Sequence, residues 1–229
     1  MIRAIIFDLD GTIADTEPLH FDAFAQVLRG QGIELALKDY TERLIGYDDR
    51  GCFETVMREA DRTVDDAVIK QLIEEKAAIY GSMIALRDVI YPGAADFVRR
   101  CAERFPLVLV TGTLRHEAEA ILTGAGLRSL FLDVIAAEDV AHGKPAPDGF
   151  LAGLGRLGFV LRLRPSINAN ECLVFEDTVA GVTAARAAGM HIAAFTHTAT
   201  PAQLTDAELV GPAIGQANLD EILRYFARA

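Results

Sequence analysis

The chain has 229 residues, of which 51% are hydrophobic, and such a chain suits a globular protein with one large domain or a core and a smaller insert. Its formal net charge of -11 disfavours nucleic acid or an anionic membrane as the main partner, because both require a basic surface. We therefore expect no nucleic-acid and no membrane partner.

The lack of a recognisable targeting signal and the number and spacing of the cysteines favour a cytoplasmic protein. The N-terminus lacks the basic, apolar and small-residue pattern of a signal peptide, and no apolar stretch approaches the roughly 20 residues of a membrane span. Cys52, Cys101 and Cys172 are odd in number and widely separated, which disfavours a disulfide framework and a zinc site. A reducing cytoplasm is the expected location.

The first predicted element is a short buried strand over residues 5–7, which leads directly into Asp8-Leu9-Asp10-Gly11-Thr12. Two carboxylates two residues apart point to the same side of an extended strand, unless the turn at Gly11 redirects them. Such a pair can hold Mg²⁺, or divide the roles of nucleophile and general acid/base. Ordinary turns have the same composition, so this segment alone leaves both interpretations open.

Residues 16–86 carry helical patterns and no convincing buried strand. Amphipathic helices are predicted there over 17–28, 50–60 and 65–80. We interpret this interval as a helical cap domain inserted after the first strand, with the core formed by residues 1–15 and 87–229.

The remaining chain alternates strands with helices. Strands are predicted over 107–110, 134–136, 172–175 and 192–195, and helices over 93–104, 115–122 and 178–188. This alternation favours right-handed crossovers and a mostly parallel sheet. The predicted fold is therefore α/β, with a Rossmann-like parallel sheet core and a small α-helical cap domain inserted after the first strand.

Polar residues follow the predicted strands at the edge where open parallel sheets bind ligands. In chain order they are Asp8 and Asp10, the segment Thr111-Gly112-Thr113, Lys144 in a loop, and Glu176-Asp177. Each one alone could be a turn, a solvated loop residue or a helix cap. Their shared placement at successive strand ends instead indicates an active site.

These four motifs, in this order, resemble those of the haloacid dehalogenase superfamily of phosphotransferases, and the resemblance covers essentially the whole chain. It implies that Asp8 attacks phosphorus and becomes an aspartyl phosphate, while Asp10 protonates the leaving oxygen and later deprotonates water. It also implies Mg²⁺ held by the carboxylates of Asp8 and Asp177 and the backbone carbonyl of Asp10. Glu176 would be a further metal ligand or a residue that orients one.

The same resemblance implies a phosphate-binding set, which consists of Thr12, Thr111, Gly112 and Lys144. Lys144 would supply positive charge to the phosphate oxygens, and Thr111 and the Gly112 amide would donate hydrogen bonds. Thr111 and Lys144 therefore join the two aspartates of the first motif as expected catalytic residues.

The helical insert resembles the cap of the branch that contains phosphoglycolate phosphatases, sugar-phosphate phosphatases and beta-phosphoglucomutases. Asp15, Thr16, His20 and Arg50 are the candidates for substrate contact at the hinge and in the cap. Asp15 or Thr16 could equally cap a helix, and His20 could be a core or surface residue. The other histidines lack metal-ligand spacing and are interpreted as structural: His116, His142, His191 and His197.

The expected function is that of a Mg²⁺-dependent phosphatase acting on a small phosphorylated metabolite, either a sugar phosphate or a phosphoglycolate-like ester. The alternative is phosphotransfer of the beta-phosphoglucomutase type. That alternative is disfavoured because Ile45 stands where mutases of this branch carry a lysine and Arg50 lies one residue farther along than expected, although Lys38 could approach from elsewhere.

Two other classes fit less well. A dehalogenase would lack the second aspartate of the first motif, Asp10. A phosphorylatable receiver domain, with a signalling or binding role, would be roughly half this length and would have no helical insert. Residues 159–170 lengthen the connection before the strand at 172–175, and no function is assigned to them.

Overall fold

The computed structural model of the protein describes residues 1–45, 47–62, 65–84, 88–161 and 167–228. The chain divides into a sheet unit, Met1–Asp15 with Ile90–Ala229, and a helical unit, Thr16–Val89. The predicted second boundary, between residues 86 and 87, lies outside the described residues.

The sheet is parallel throughout, and its six strands have the order β3-β2-β1-β4-β5-β6 within the described residues. The strands are β1 Ala4–Phe7, β2 Leu107–Val110, β3 Phe131–Ile135, β4 Cys172–Glu176, β5 His191–Phe195 and β6 Leu209–Gly211. Strand β1 lies between β2 and β4, with Ile6 opposite Val108 and Val174. The residues that follow these three strands are therefore neighbours at one edge.

Nine α-helices are present within the described residues. The helical unit contains α1 Glu17–Gly30, α2 Leu37–Asp39, α3 Asp49–Glu59 and α4 Asp66–Ile84, and a π-helical turn, Tyr40–Leu44, follows α2. The sheet unit contains α5 Ala94–Ala102, α6 Arg115–Gly124, α7 Asp148–Leu161, α8 Val179–Ala187 and α9 Leu219–Phe226. Among all the described residues, no helix is long and apolar enough to cross a membrane.

Apolar side chains cover both faces of the sheet, because successive residues of each strand point to opposite sides. On one face Phe7 stacks on Phe175 with ring centroids 4.9 Å apart, and the Phe97 ring from α5 makes T-shaped contacts with both. On the other face, Ile6 belongs to a cluster that includes Phe150 of α7. Burial on both sides explains why the sequences of these strands are short, continuous runs of apolar residues.

The helical unit has its own core, in which Phe24 of α1 packs against Phe53 of α3 with ring centroids 4.9 Å apart. Helix α3 begins after Asp48, whose carboxylate accepts a hydrogen bond from the Gly51 amide at 2.7 Å. This side-chain cap satisfies one of the amides that the first turn of a helix leaves without a partner.

The predicted fold class is confirmed: the core is a Rossmann-like parallel α/β sheet with a helical insert after its first strand. Within the described residues, the predicted elements did not include α2 with its π-helical continuation, α7, the edge strand β6 or α9. Of the segment 159–170, the first residues belong to α7, Ile167 is buried, and residues 162–166 lie outside the described part of the chain.

Candidate active site

The turn after β1 is built around a glycine that no other residue could replace without displacing a carboxylate. Gly11 has φ +80°, a conformation that side chains disfavour, and a Cβ atom there would lie 2.0 Å from Asp177 Oδ2. Asp8 precedes this turn, is buried, and extends the sheet through its amide, which donates to the Phe175 carbonyl at 3.0 Å. The turn thus brings the first and fourth motifs into direct contact.

Three buried carboxylates converge beside this turn. One oxygen each of Asp8, Glu176 and Asp177 lies within 4.8 Å of the other two. Lys144 Nζ contacts Asp8 Oδ1 and lies 2.6 Å from Glu176 Oε1. The four predicted side chains from the first, third and fourth motifs therefore form one cluster.

Glu176 is held by protein donors on both oxygens. Its Oε2 accepts hydrogen bonds from the amides of Asp177 and Thr178, at 2.8 and 2.9 Å, and from the Thr178 hydroxyl at 3.0 Å. Its Oε1 accepts from Lys144. Gly181 in α8 provides the space, since a Cβ there would lie 1.7 Å from Glu176 Oε1. This carboxylate is thus fixed at the amino end of α8, where the helix dipole favours negative charge.

Asp177 differs from Glu176 because only one of its two carboxylate oxygens accepts a hydrogen bond from the described residues. Oδ1 accepts a hydrogen bond from the Thr12 hydroxyl at 2.9 Å. Oδ2 is buried and has no hydrogen-bond partner among the described residues. A buried carboxylate oxygen without a partner is costly, and a cation is a partner of matching chemistry. The residues present therefore fit a hard divalent ion.

Asp10 points away from this cluster. Its Oδ2 accepts hydrogen bonds from the Thr111 and Thr113 hydroxyls, at 2.9 and 2.8 Å, in the loop that follows β2. The Thr113 amide in turn donates to Thr111 Oγ1 at 3.0 Å. Because β1 ends at Phe7, the two aspartates lie beyond the strand and reach different partners, and the carboxylate of Asp10 is not one of the three in the cluster.

Burial dominates the electrostatics of the cluster. It raises the pKa of Asp8 well above its ordinary value, and Lys144 only partly opposes this. Burial also raises the pKa of Asp177, and the charges of Glu176 and Asp8 add to the effect. For Lys144, burial lowers the pKa, but the contacts with Asp8 and Glu176 outweigh it and the net shift is upward. A protonated lysine therefore sits among carboxylates that need further positive charge to stay ionised.

The two remaining phosphate-binding candidates differ in their surroundings. Thr12 is fully buried and its hydroxyl hydrogen is donated to Asp177. Gly112 borders open space, because no atom lies within 4 Å of the position that a Cβ would take. An incoming oxygen atom can therefore approach the backbone at Gly112.

The four candidates for substrate contact lie in two units. Asp15 belongs to the sheet unit and accepts a hydrogen bond from the Tyr91 hydroxyl at 3.3 Å. In the helical unit, Thr16 precedes α1, and His20 is buried with its ring stacked on Tyr80 at 4.1 Å. Arg50 is engaged by two carboxylates within this unit, those of Glu54 and Asp66, at 3.1 and 2.8 Å.

Four residues that support these groups had no site role assigned from the sequence. Thr113 holds Asp10, Thr178 holds Glu176, and His197 lies 2.7 Å from the Gly11 carbonyl through Nδ1. Lys76 is fully buried in the helical unit, 3.0 Å from Asp49 Oδ1 and 4.4 Å above the Tyr80 ring. Three of them could be found from the sequence: Thr113 lies two residues after Thr111, Thr178 follows Glu176-Asp177 directly, and Lys76 lies on the buried, mostly apolar face of α4.

A family model described as "Hydrolase: haloacid dehalogenase-like hydrolase" matches residues 2–189 of the chain. The protein therefore belongs to the haloacid dehalogenase-like hydrolases, as the four motifs predicted. The predicted enzyme class, a phosphoric monoester hydrolase of this superfamily, is confirmed as well.

Two curated relatives span most of the chain. The fructose-1-phosphate phosphatase YqaB of Escherichia coli (strain K12) is 36% identical over 187 residues, which are 81% of this chain and 92% of that protein. A phosphorylated carbohydrates phosphatase of Thermotoga maritima is 31% identical over 196 residues, 82% of each chain. Among solved structures, a beta-phosphoglucomutase from Clostridium difficile superposes on this protein with a TM-score of 0.88. The match covers 100% of this chain and 98% of that chain, and at 24% sequence identity it shows a likeness of fold.

Proposed function

We propose that the protein is a Mg²⁺-dependent phosphatase that hydrolyses a small phosphorylated carbohydrate through an aspartyl-phosphate intermediate. The single observation that carries this proposal is the buried carboxylate cluster with Lys144 at its side and one Asp177 oxygen without a partner. The substrate class rests on the two phosphatase relatives, whose names specify fructose 1-phosphate and phosphorylated carbohydrates.

The metal would be held by the carboxylates of Asp8 and Asp177 and by the backbone carbonyl of Asp10. Its charge would reduce the repulsion between the Asp8 carboxylate and the phosphate dianion. Because both Glu176 oxygens already accept hydrogen bonds from the protein, we assign Glu176 to orienting its neighbours rather than to binding the metal.

The reaction divides into two displacements. Asp8 attacks phosphorus, an oxygen–phosphorus bond forms on Asp8, and the bond to the sugar oxygen breaks as Asp10 gives that oxygen a proton. In the second displacement Asp10 takes a proton from water, the water oxygen attacks phosphorus, and the Asp8–phosphorus bond breaks. Inorganic phosphate leaves, and both aspartates return to their starting state.

The phosphate oxygens would be bound by the Lys144 ammonium, the Gly112 amide and the Thr111 hydroxyl. Thr111 has one hydroxyl hydrogen, which Asp10 accepts in this structure, so binding phosphate through it requires that bond to be exchanged. Thr113 keeps a second hydrogen bond on Asp10 during such an exchange. Thr12 is assigned to holding Asp177, since its hydroxyl already donates there.

For the choice of the sugar, Asp15 of the sheet unit and Thr16, His20 and Arg50 of the helical unit stay the predicted contacts. Arg50 would have to release Glu54 or Asp66 to reach a substrate. Hydrolysis is favoured over mutase chemistry because Ile45 occupies the position where mutases of this branch carry a lysine.

The test is phosphate release from fructose 1-phosphate, other sugar phosphates, phosphoglycolate and nucleoside monophosphates, with Mg²⁺ or with a chelator. Asp8→Asn is the matched blank, because it keeps the shape of the side chain and removes the nucleophile. We expect Mg²⁺-dependent release by the wild type and none by the variant. Conversion of a sugar 1-phosphate into its 6-phosphate without free phosphate would refute the hydrolase assignment.

A further inference from the structure

We infer that His197 is a positioning residue for the metal-binding turn, a role that rests on the proposed function because that turn is proposed to hold Mg²⁺. His197 follows β5, outside the four motifs, and its Nδ1 lies 2.7 Å from the Gly11 carbonyl oxygen. A carbonyl oxygen can only accept a hydrogen bond, so Nδ1 must carry the hydrogen. The imidazole therefore donates to the backbone of the catalytic turn.

This hydrogen bond holds a peptide unit that has little freedom to move. The Gly11 amide donates to the Ala14 carbonyl at 2.7 Å, and the Thr12 amide donates to the Leu9 carbonyl at 3.3 Å. The peptide between Gly11 and Thr12 is thus held at its N–H by Leu9 and at its carbonyl by His197. Rotation of that peptide would change the direction of the Thr12 side chain.

Thr12 connects this peptide to the metal site. Its hydroxyl donates to Asp177 Oδ1 at 2.9 Å, and Asp177 Oδ2 is the buried carboxylate oxygen without a partner among the described residues. The residue after His197 packs against the same turn, since Thr198 Oγ1 lies 2.6 Å from the position that a Cβ on Gly11 would take. The segment after β5 therefore contacts the turn that orients Asp177, an expected metal ligand.

The imidazole ring is itself held in place by Tyr91. The two rings stack with centroids 4.0 Å apart and an interplanar angle of 24°. Tyr91 is fixed in turn, because its amide donates to the Ile13 carbonyl at 3.0 Å and its hydroxyl donates to Asp15 at 3.3 Å. The ring thus has a fixed plane, as a residue that positions others requires.

The test measures Mg²⁺ binding by calorimetry and by the shift in unfolding temperature, alongside kcat and KM. His197→Leu removes the donor, His197→Gln moves the amide N–H away from the Nδ1 position, and His197→Asn keeps an N–H close to it. His191→Leu is the matched control at the other end of β5, where Nδ1 lies 2.9 Å from Glu208 Oε1 and the ring lies 5.1 Å from Phe226.

We expect His197→Leu and His197→Gln to weaken Mg²⁺ binding on the order of fivefold to tenfold, with kcat at saturating Mg²⁺ close to the wild-type value. His197→Asn should restore most of the Mg²⁺ affinity. His191→Leu should lower the stability of the protein and leave its Mg²⁺ affinity unchanged. Wild-type Mg²⁺ affinity in His197→Gln, or in His197→Leu, would overturn the role of His197 alone. A wild-type protein that binds no Mg²⁺ would overturn this role and the metal dependence of the proposed function together.

Discussion

Gly181→Ala should destabilise the protein, although it replaces a helical glycine with the best helix former. The replacement alone gains about 1 kcal/mol in a helix. A Cβ on Gly181, however, would lie 1.7 Å from Glu176 Oε1 and 1.9 Å from its Cδ, so the carboxylate must leave its position. Glu176 then loses three hydrogen bonds from the start of α8. Since each bond to a charged group contributes about 1.5–3 kcal/mol, even partial loss should lower the free energy of unfolding by about 3 kcal/mol.

Urea unfolding followed by circular dichroism measures this loss, and Gly155→Ala in α7 is the matched control. Gly155 is an exposed helical glycine, and no atom lies within 4 Å of the position of its Cβ. That variant should gain roughly 0.5–1 kcal/mol. The same Gly→Ala substitution is therefore expected to lower the free energy of unfolding in α8 and to raise it in α7. A Gly181→Ala protein as stable as the wild type, with normal turnover, would refute the assignment of Glu176 as a fixed carboxylate at the start of α8.

The remaining predictions concern the nucleophile, the proton carrier and the helical unit. Asp8→Asn should abolish phosphate release while the circular dichroism spectrum stays native; residual turnover above a thousandth of wild type would contradict the nucleophile role. Thr113→Val should lower kcat about tenfold with little change in KM, because Asp10 would lose the hydrogen bond from the Thr113 hydroxyl, whereas Thr113→Ser should retain activity. Lys76→Met should lower the free energy of unfolding by about 3 kcal/mol, because Asp49 would lose its cation; an unchanged urea midpoint would show that the pair is not stabilising.

The parallel sheet could be predicted from sequence because its strands are buried on both faces and therefore stand out as apolar runs between amphipathic helices. Strand β6 gave no such signal: it has three residues, and each is only half-buried. Helix α9 is only eight residues long, and its start is fixed by Asn218, whose side chain accepts a hydrogen bond from the Asp220 amide at 3.0 Å. Short elements at the edge of a sheet depend on tertiary contacts more than on their own pattern.

The strand-end rule identified which residues meet but could not assign their individual partners. An extended strand would put Asp8 and Asp10 on the same side, but β1 ends at Phe7, and beyond it Asp8 contacts Lys144 while Asp10 accepts from Thr113. The contact between His197 and Gly11 joins residues 186 positions apart and has no local pattern at all. Such partners follow from the packed fold and were therefore out of reach of motif analysis.

The positive charge of one lysine does not balance the negative charge of the carboxylate cluster. Asp8, Glu176 and Asp177 bring three carboxylates together, and among the described residues Lys144 is the cation that contacts this cluster. Two negative charges are left when all four groups are ionised, and a divalent cation would balance them. The substrate phosphate would then meet a neutral pocket rather than a repulsive one. The carboxylate of Asp10 is not one of these three, since it accepts hydrogen bonds from the Thr111 and Thr113 hydroxyls, and the proposed mechanism has it gain and lose a proton there.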